Sequence, residues 1–117
     1  MYTRLQPVLY VGELAAEVDF YRRLGFEVVH DSPDFVGLAH GDSILFGLQR
    51  RPGWNRPGEQ PLIWQIATDD IDAVHLRCAE QGIDILREPR LEDWGEWTMI
   101  LGSPAGYRVT IEGARKA

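Results

Sequence analysis

Apolar and polar positions along the chain fall into the same order twice. Residues 6–28 read QPVLYVGELAAEVDFYRRLGFEV, and residues 63–85 read IWQIATDDIDAVHLRCAEQGIDI. Aligned without a gap, Glu13 falls on Asp70, Leu14 on Ile71, Phe26 on Ile83 and Val28 on Ile85, while Ala16 and Gly25 meet the identical Ala73 and Gly82. The match is weak in letters and consistent in role. A repeat of this length marks a repeated supersecondary unit.

Each copy predicts the same elements. An apolar run rich in β-formers, about 6–11 and 62–68, predicts a strand. An acid then opens a helix: Glu13 in the first copy, Asp69 or Asp70 in the second. A carboxylate there complements the helix dipole and can cap free amides. Leu14, Val18, Tyr21 and Leu24 share one face at helical spacing, as do Ile71, Val74, His75 and Cys78. Gly25 and Gly82 stop the helices, where a left-handed residue is easiest for glycine. A strand follows at once (FEVVHD, IDILRE), and then a pair of strands joined by a turn, at His40-Gly41-Asp42-Ser43 and at Ser103-Pro104-Ala105-Gly106.

The predicted order is therefore βαβββ, twice, which is an α+β fold. The first module spans residues 1–50 and the second 62–117, together forming a single structural unit. Residues 51–61 are the linker; the stretch RRPGWNRPGEQP around them holds three prolines and two glycines. The connection over 86–94 is longer in the second copy.

Composition narrows the function. The 117 residues fit one compact unit with a real core, at 44% apolar and 26% charged. A net charge of −6 disfavours nucleic acid, whose phosphates call for clustered Lys and Arg, and mildly favours a cationic ligand. No apolar run reaches the roughly 20 residues of a membrane helix, so no membrane partner is expected. Cys78 is the only cysteine, which forbids an intrachain disulfide and fits a reducing compartment. The N-terminal MYTRLQPVLYV has no apolar leader ending in a small-residue cleavage site, so a cytoplasmic protein is expected.

A duplicated βαβββ unit carrying DFYRRLGFEVV and then WGEWTMILGSPAGYRVTIE resembles the vicinal oxygen chelate superfamily, over about residues 4–113. Glyoxalase I, extradiol dioxygenases, fosfomycin-resistance enzymes and bleomycin-resistance proteins belong to it. The second motif in that family usually reads WG followed by a D-P-x-G-N turn. Trp94-Gly95 and Ser103-Pro104-Ala105-Gly106-Tyr107 keep the spacing, with Ser for Asp and Tyr for Asn. The resemblance implies mixed sheets curled around a cavity, and a homodimer in short members.

It also implies a test for metal. Metal-dependent relatives hold a divalent ion with four side chains, from the first and last strand of each unit. Carried over by spacing, those positions are Gln6, Phe46, Ile63 and Thr110. Gln6 could ligate through its amide oxygen, Thr110 is a weak neutral donor, and Phe46 and Ile63 cannot ligate. No metal and no cofactor is expected. His30, His40 and His75 are scattered over a strand end, a turn and a helix. There is no G-x-S-x-G elbow, no credible Cys/His pair and no phosphate loop, so no catalytic residue is assigned. Glu92, Asp93, Glu96 and Glu112 could approach the cavity, although solvated surface carboxylates are the simpler account.

With the ligand-equivalent positions facing the cavity, strand alternation sorts the rest. Gln6, Val8 and Tyr10 face in from the first strand, and Ile44, Phe46 and Leu48 from the first hairpin. Ile63, Gln65 and Ala67 do so in the second copy, with Arg108, Thr110 and Glu112 from the last strand. Trp64 faces the helices, and Trp94 and Trp97 border the cleft. Trp54, in the linker, needs either packing or a partner. This is an apolar, partly aromatic pocket with a few polar groups, the usual make-up of a small-molecule site. The expected function is metal-independent sequestration of a small aromatic or cationic molecule, antibiotics included, in the manner of the bleomycin-resistance branch. A glyoxalase-like lyase or isomerase with relocated catalytic groups, and a non-catalytic dimeric regulatory module, remain alternatives.

Overall fold

The computed structural model describes residues 1–56 and 58–115; Pro57 of the linker and the last two residues of the second module lie outside the described residues. The chain divides into two compact units, Met1–Asn55 and Arg56–Ala117.

The first unit runs β1 (Val8–Val11), α1 (Leu14–Leu24), β2 (Glu27–Asp31), β3 (Phe35–His40) and β4 (Ile44–Arg50). Its sheet has the order β1-β4-β3-β2. β1 lies parallel to β4 and the other neighbours are antiparallel. The second unit repeats this with β5 (Trp64–Thr68), α2 (Ile71–Gln81), β6 (Ile85–Leu91), β7 (Trp97–Gly102) and β8 (Arg108–Gly113), in the order β5-β8-β7-β6. The α+β class and the two βαβββ modules are thus those the repeat predicted. Each sheet is open, with two edge strands, rather than curled and closed on itself. No helix among the described residues is long and apolar enough to cross a membrane.

Both helices end where the glycines predicted. Gly25 (φ 109°) and Gly82 (φ 65°) take the left-handed conformation that returns the chain to the sheet. The starts differ. Asp70 caps α2, its carboxylate accepting the amide of Ala73 at 3.1 Å. Glu13 precedes α1 without a side-chain cap. Its longer side chain is a poor fit to a geometry that favours Asp, Asn and Ser.

The sheet face toward each helix forms the core. In the first unit Val11, Phe20, Tyr21, Leu38, Phe46 and Leu48 are buried. Tyr21 sets the stripe: its ring centroid lies 4.9 Å from those of both Phe20 and Phe46, in edge arrangements. The buried face of α1 is therefore Glu17, Phe20 and Tyr21, and the expected Leu14, Val18 and Leu24 lie only half-buried beside it. In the second unit Ile71, Cys78, Met99, Leu101, Val109 and Ile111 do the same work.

This packing corrects three orientations. Phe46 and Leu48 do not face away from the helix. The register Val8↔Gly47 and Leu9↔Leu48 puts Leu48 on the core side with Leu9, and Gly47 on the open side with Val8. The Phe35 ring occupies the space a side chain at Gly47 would need. Trp97 is likewise on the helix side of its sheet, in phase with the buried Met99 and Leu101, and the Arg115 guanidinium sits 4.2 Å from its ring centroid. Expected strand starts also move: Gln6 precedes β1 and Ile63 precedes β5.

Candidate ligand-binding cleft

The open face of the second sheet carries most of the predicted site. Alternation places Gln65 opposite Thr110 and Thr98 opposite Glu112, all on the side away from α2. Ile63, Gln65, Trp94, Arg108 and Thr110 line one cleft of about 510 Å³, together with residues of the linker. That volume suits a small organic molecule. Ile63 and Trp94, 75% and 65% exposed, give this cleft a large apolar surface open to solvent.

Glu112 organises the rim. One carboxylate oxygen accepts the indole N–H of Trp94 at 3.1 Å, and the other accepts a short hydrogen bond from the Gln65 amide. Glu112 thus holds both the Trp94 ring and the Gln65 amide in place.

The cleft is also lined by a second polar chain, in which Glu92 joins Arg87 and Thr98, two residues the sequence did not single out. Arg87 donates to the Thr98 hydroxyl at 2.7 Å, and that hydroxyl donates to Glu92 at 2.6 Å. Arg90 reaches the same Glu92 oxygen at 2.9 Å. The Thr98 hydrogen bond, then that of Arg90, hold the Glu92 carboxyl below the usual carboxylate range. Burial, then the charge of Arg90, push the Arg87 guanidinium below its ordinary value. β6 is an edge strand with register irregularities on both sides of Arg87 and a proline at 89, the sort of bulged edge that re-aims a side chain.

The linker closes one side. The Gln60 side chain accepts the Arg108 amide at 2.9 Å and donates to the Arg108 carbonyl at 3.2 Å, so it stands in for one residue of a strand beside β8. Arg56 also lines the cleft. Nothing in a Pro/Gly-rich linker signalled that Arg56 and Gln60 would fold back onto β8. Thr98 and Ile100, by contrast, could have been found by applying the alternation of β8 to β7. The turn before β8 shows why Ser can replace the family's Asp. Ser103 Oγ accepts the Tyr107 amide at 3.2 Å, and its carbonyl accepts that of Gly106 at 2.9 Å.

The first unit gathers fewer of the predicted residues. Val8 and Tyr10 lie half-exposed on its open face, with the Arg51 guanidinium 5.0 Å from the Tyr10 ring centroid. Gln6 accepts a hydrogen bond from Arg4 at 3.2 Å and lines a smaller cleft of about 320 Å³ with Phe35 and Leu45. A groove of about 840 Å³ beside α1, with Asp19, Arg22, Asp31 and Arg50 in its walls, holds none of the predicted site residues.

The donors do not fit a divalent metal. Phe46 lies in the core rather than beside Gln6, so carrying the pattern over by spacing put the first unit's second ligand position on the wrong face of β4; Leu45, a hydrocarbon, is the β4 side chain that lines the cleft with Gln6. In the second unit the corresponding positions are a hydrocarbon, Ile63, and a neutral hydroxyl, Thr110, with the Arg108 cation lining the same cleft. Among the described residues no three His, Cys, Asp or Glu side chains gather as a metal site.

A sequence model of the Glyoxalase/Bleomycin resistance protein/Dioxygenase superfamily matches residues 4–111. The chain belongs to this superfamily. Among solved structures it is similar to a bleomycin resistance determinant encoded on the transposon Tn5, at 23% identity and a TM-score of 0.81, covering 98% of this chain and 100% of that one. It is similar to a bleomycin-binding protein complexed with bleomycin, at 23% identity and a TM-score of 0.79, covering 97% and 100%. A superfamily member from Sphaerobacter thermophilus gives 24% identity and a TM-score of 0.79, covering 97% and 98%. Likeness at these identities is a likeness of fold. Among curated proteins none matches the sequence.

Proposed function

We propose that this superfamily member binds and sequesters a small, partly aromatic organic molecule, without a metal ion and without making or breaking a bond. One observation carries the reading: the cleft that gathers Gln65, Trp94 and Arg108 has a hydrocarbon, Ile63, and a neutral hydroxyl, Thr110, at the positions where the resemblance implies metal donors. The residues best able to do chemistry support it too. Glu112 has both oxygens engaged, and Glu92 is tied to Thr98 and Arg90. The similar bleomycin-binding protein bears on the class of ligand, a natural-product antibiotic being the first to try.

A homodimer is part of the proposal, supported by the exposed apolar side chains Leu5, Val8 and Tyr10 of the first unit. So is action in the cytoplasm, supported by a single cysteine that is buried and unpaired.

A thermal-shift screen tests the function. Divalent metals would be run against a panel of natural-product antibiotics and aromatic metabolites, with and without EDTA, and each hit recovered for mass spectrometry. The expected result is stabilisation by an organic compound alone, unchanged by EDTA, with the compound recovered intact. A shift that needs metal, or a compound consumed on incubation, would overturn the reading.

A further inference from the structure

The chain is acidic as a whole, yet its cleft is not. Three arginines, Arg56, Arg87 and Arg108, line the cleft of the second unit. Arg87 is neutralised by Glu92 and bonded to Thr98. The guanidinium groups of Arg56 and Arg108 have no hydrogen-bond or ion-pair partner among the described residues. Nη1 of Arg56 is moreover shut off from solvent without an acceptor. A buried donor left unmade is unfavourable, and such groups in native proteins call for an explanation. Glu59 also lines the cleft, but at its exposed rim.

Arg108 is also held in place. The Gln60 side chain grips both its amide and its carbonyl, so the root of its side chain is fixed at the mouth of the cleft. Beside it lies an apolar surface, Ile63 and Ile100, with the ring of Trp94 anchored at the rim by Glu112. A guanidinium rooted beside an apolar surface selects a molecule with an anionic end and an apolar body.

We propose that Arg56 and Arg108 receive the anionic group, carboxylate or phosphate, of a small molecule whose planar apolar body lies on Ile63 and Ile100 beside Trp94. This rests on the binding function proposed above and reverses the cationic preference that net charge alone suggested. The acidic surface elsewhere repels anions, so the arginine pair supplies the selectivity locally.

Calorimetric titration with four naphthyl compounds tests it: naphthoate, naphthyl phosphate, naphthamide and naphthylmethylamine. The expected result is that one or both anions bind about tenfold more tightly than the amide, and the amine more weakly still. The ratio of naphthoate to naphthyl phosphate tells which anion the pair suits. Arg108→Gln and Arg56→Gln are expected to erase the preference for the anion, read as the ratio of anion to amide affinity within each variant. Arg108→Lys, which keeps the charge, is expected to retain part of it. Amide or amine binding as tightly as the anions, with the arginine variants indifferent, overturns the anion site and leaves the binding function standing. If no naphthyl compound binds, the anion site falls as well; the antibiotic screen then judges the binding function on its own.

Discussion

Trp94 donates its indole N–H to Glu112 at 3.1 Å while its ring stays 65% exposed at the mouth of the cleft. The pairing orients a large apolar surface toward solvent instead of letting it fold onto the sheet. In Glu112→Ala the ring is freed, and affinity for a planar aromatic ligand should fall severalfold, measured by calorimetry. Trp94→Ala should lower it about fivefold, in line with a lost stacking contact of about 1 kcal/mol. Both variants should melt within a few degrees of the wild type, because the contact is at the surface. Unchanged affinity in Trp94→Ala would remove the indole from the site.

Gly113, at the end of β8, faces Thr68 of β5 across the parallel ladder. A methyl group there would overlap the Thr68 carbonyl oxygen, with the carbonyl carbon and Cγ2 each 2.9 Å away. Because the obstacle is backbone, the strands must part to admit it. Gly113→Ala should lower unfolding free energy by about 3 kcal/mol or more in a urea titration. Gly58→Ala, with nothing within 4 Å of the new carbon, is the control and should change little.

Cys78 gives a pH signature. Burial pushes its thiol from an ordinary 9.0 up to about 11. The folded chain therefore keeps its proton where the unfolded chain has lost it. The stability this thiol contributes is complete below pH 9 and is lost as pH rises from 9 toward 11, about 2–3 kcal/mol in all. Comparing denaturation of wild type and Cys78→Ala across that window isolates the effect from other groups; parallel curves would refute it. The same burial predicts no reaction with a thiol reagent at pH 8 until the protein unfolds.

The two helix starts should respond differently to one change. Asp70→Ala removes a carboxylate that accepts the Ala73 amide and should cost about 1 kcal/mol. Glu13→Ala removes no cap bond and should cost less than about 0.5 kcal/mol. Equal losses in thermal or urea melts would show that helix-dipole charge, not the cap hydrogen bond, dominates at both sites.

Much of the site was legible because alternation is a local property. Gln65, Thr110 and Glu112 share a face whatever the sheet packs on, even though β5 starts at Trp64, two residues later than expected. β4 shows the limit. Its ILFGLQR is apolar in both phases up to Leu48, and only Gly47 and Gln49 hint that the odd positions face outward. Anchoring the phase on a family ligand position overrode that hint and turned Phe46 and Leu48 the wrong way. Trp97 failed for a related reason: two residues of the same motif, Trp94 and Trp97, fall on different sides once the chain enters β7.

The sequence by itself determined the two βαβββ modules and the glycine stops of both helices, because each depends on residue type and short-range spacing. Only the tertiary structure decided which face of β4 is core, and that Arg56 and Gln60 return from the linker to β8. It also decided that Arg87 is neutralised by Glu92, while the guanidinium groups of Arg56 and Arg108 meet no partner among the described residues. Those facts are set by which side chains meet across strands and loops distant in sequence, where charge and burial are settled pair by pair.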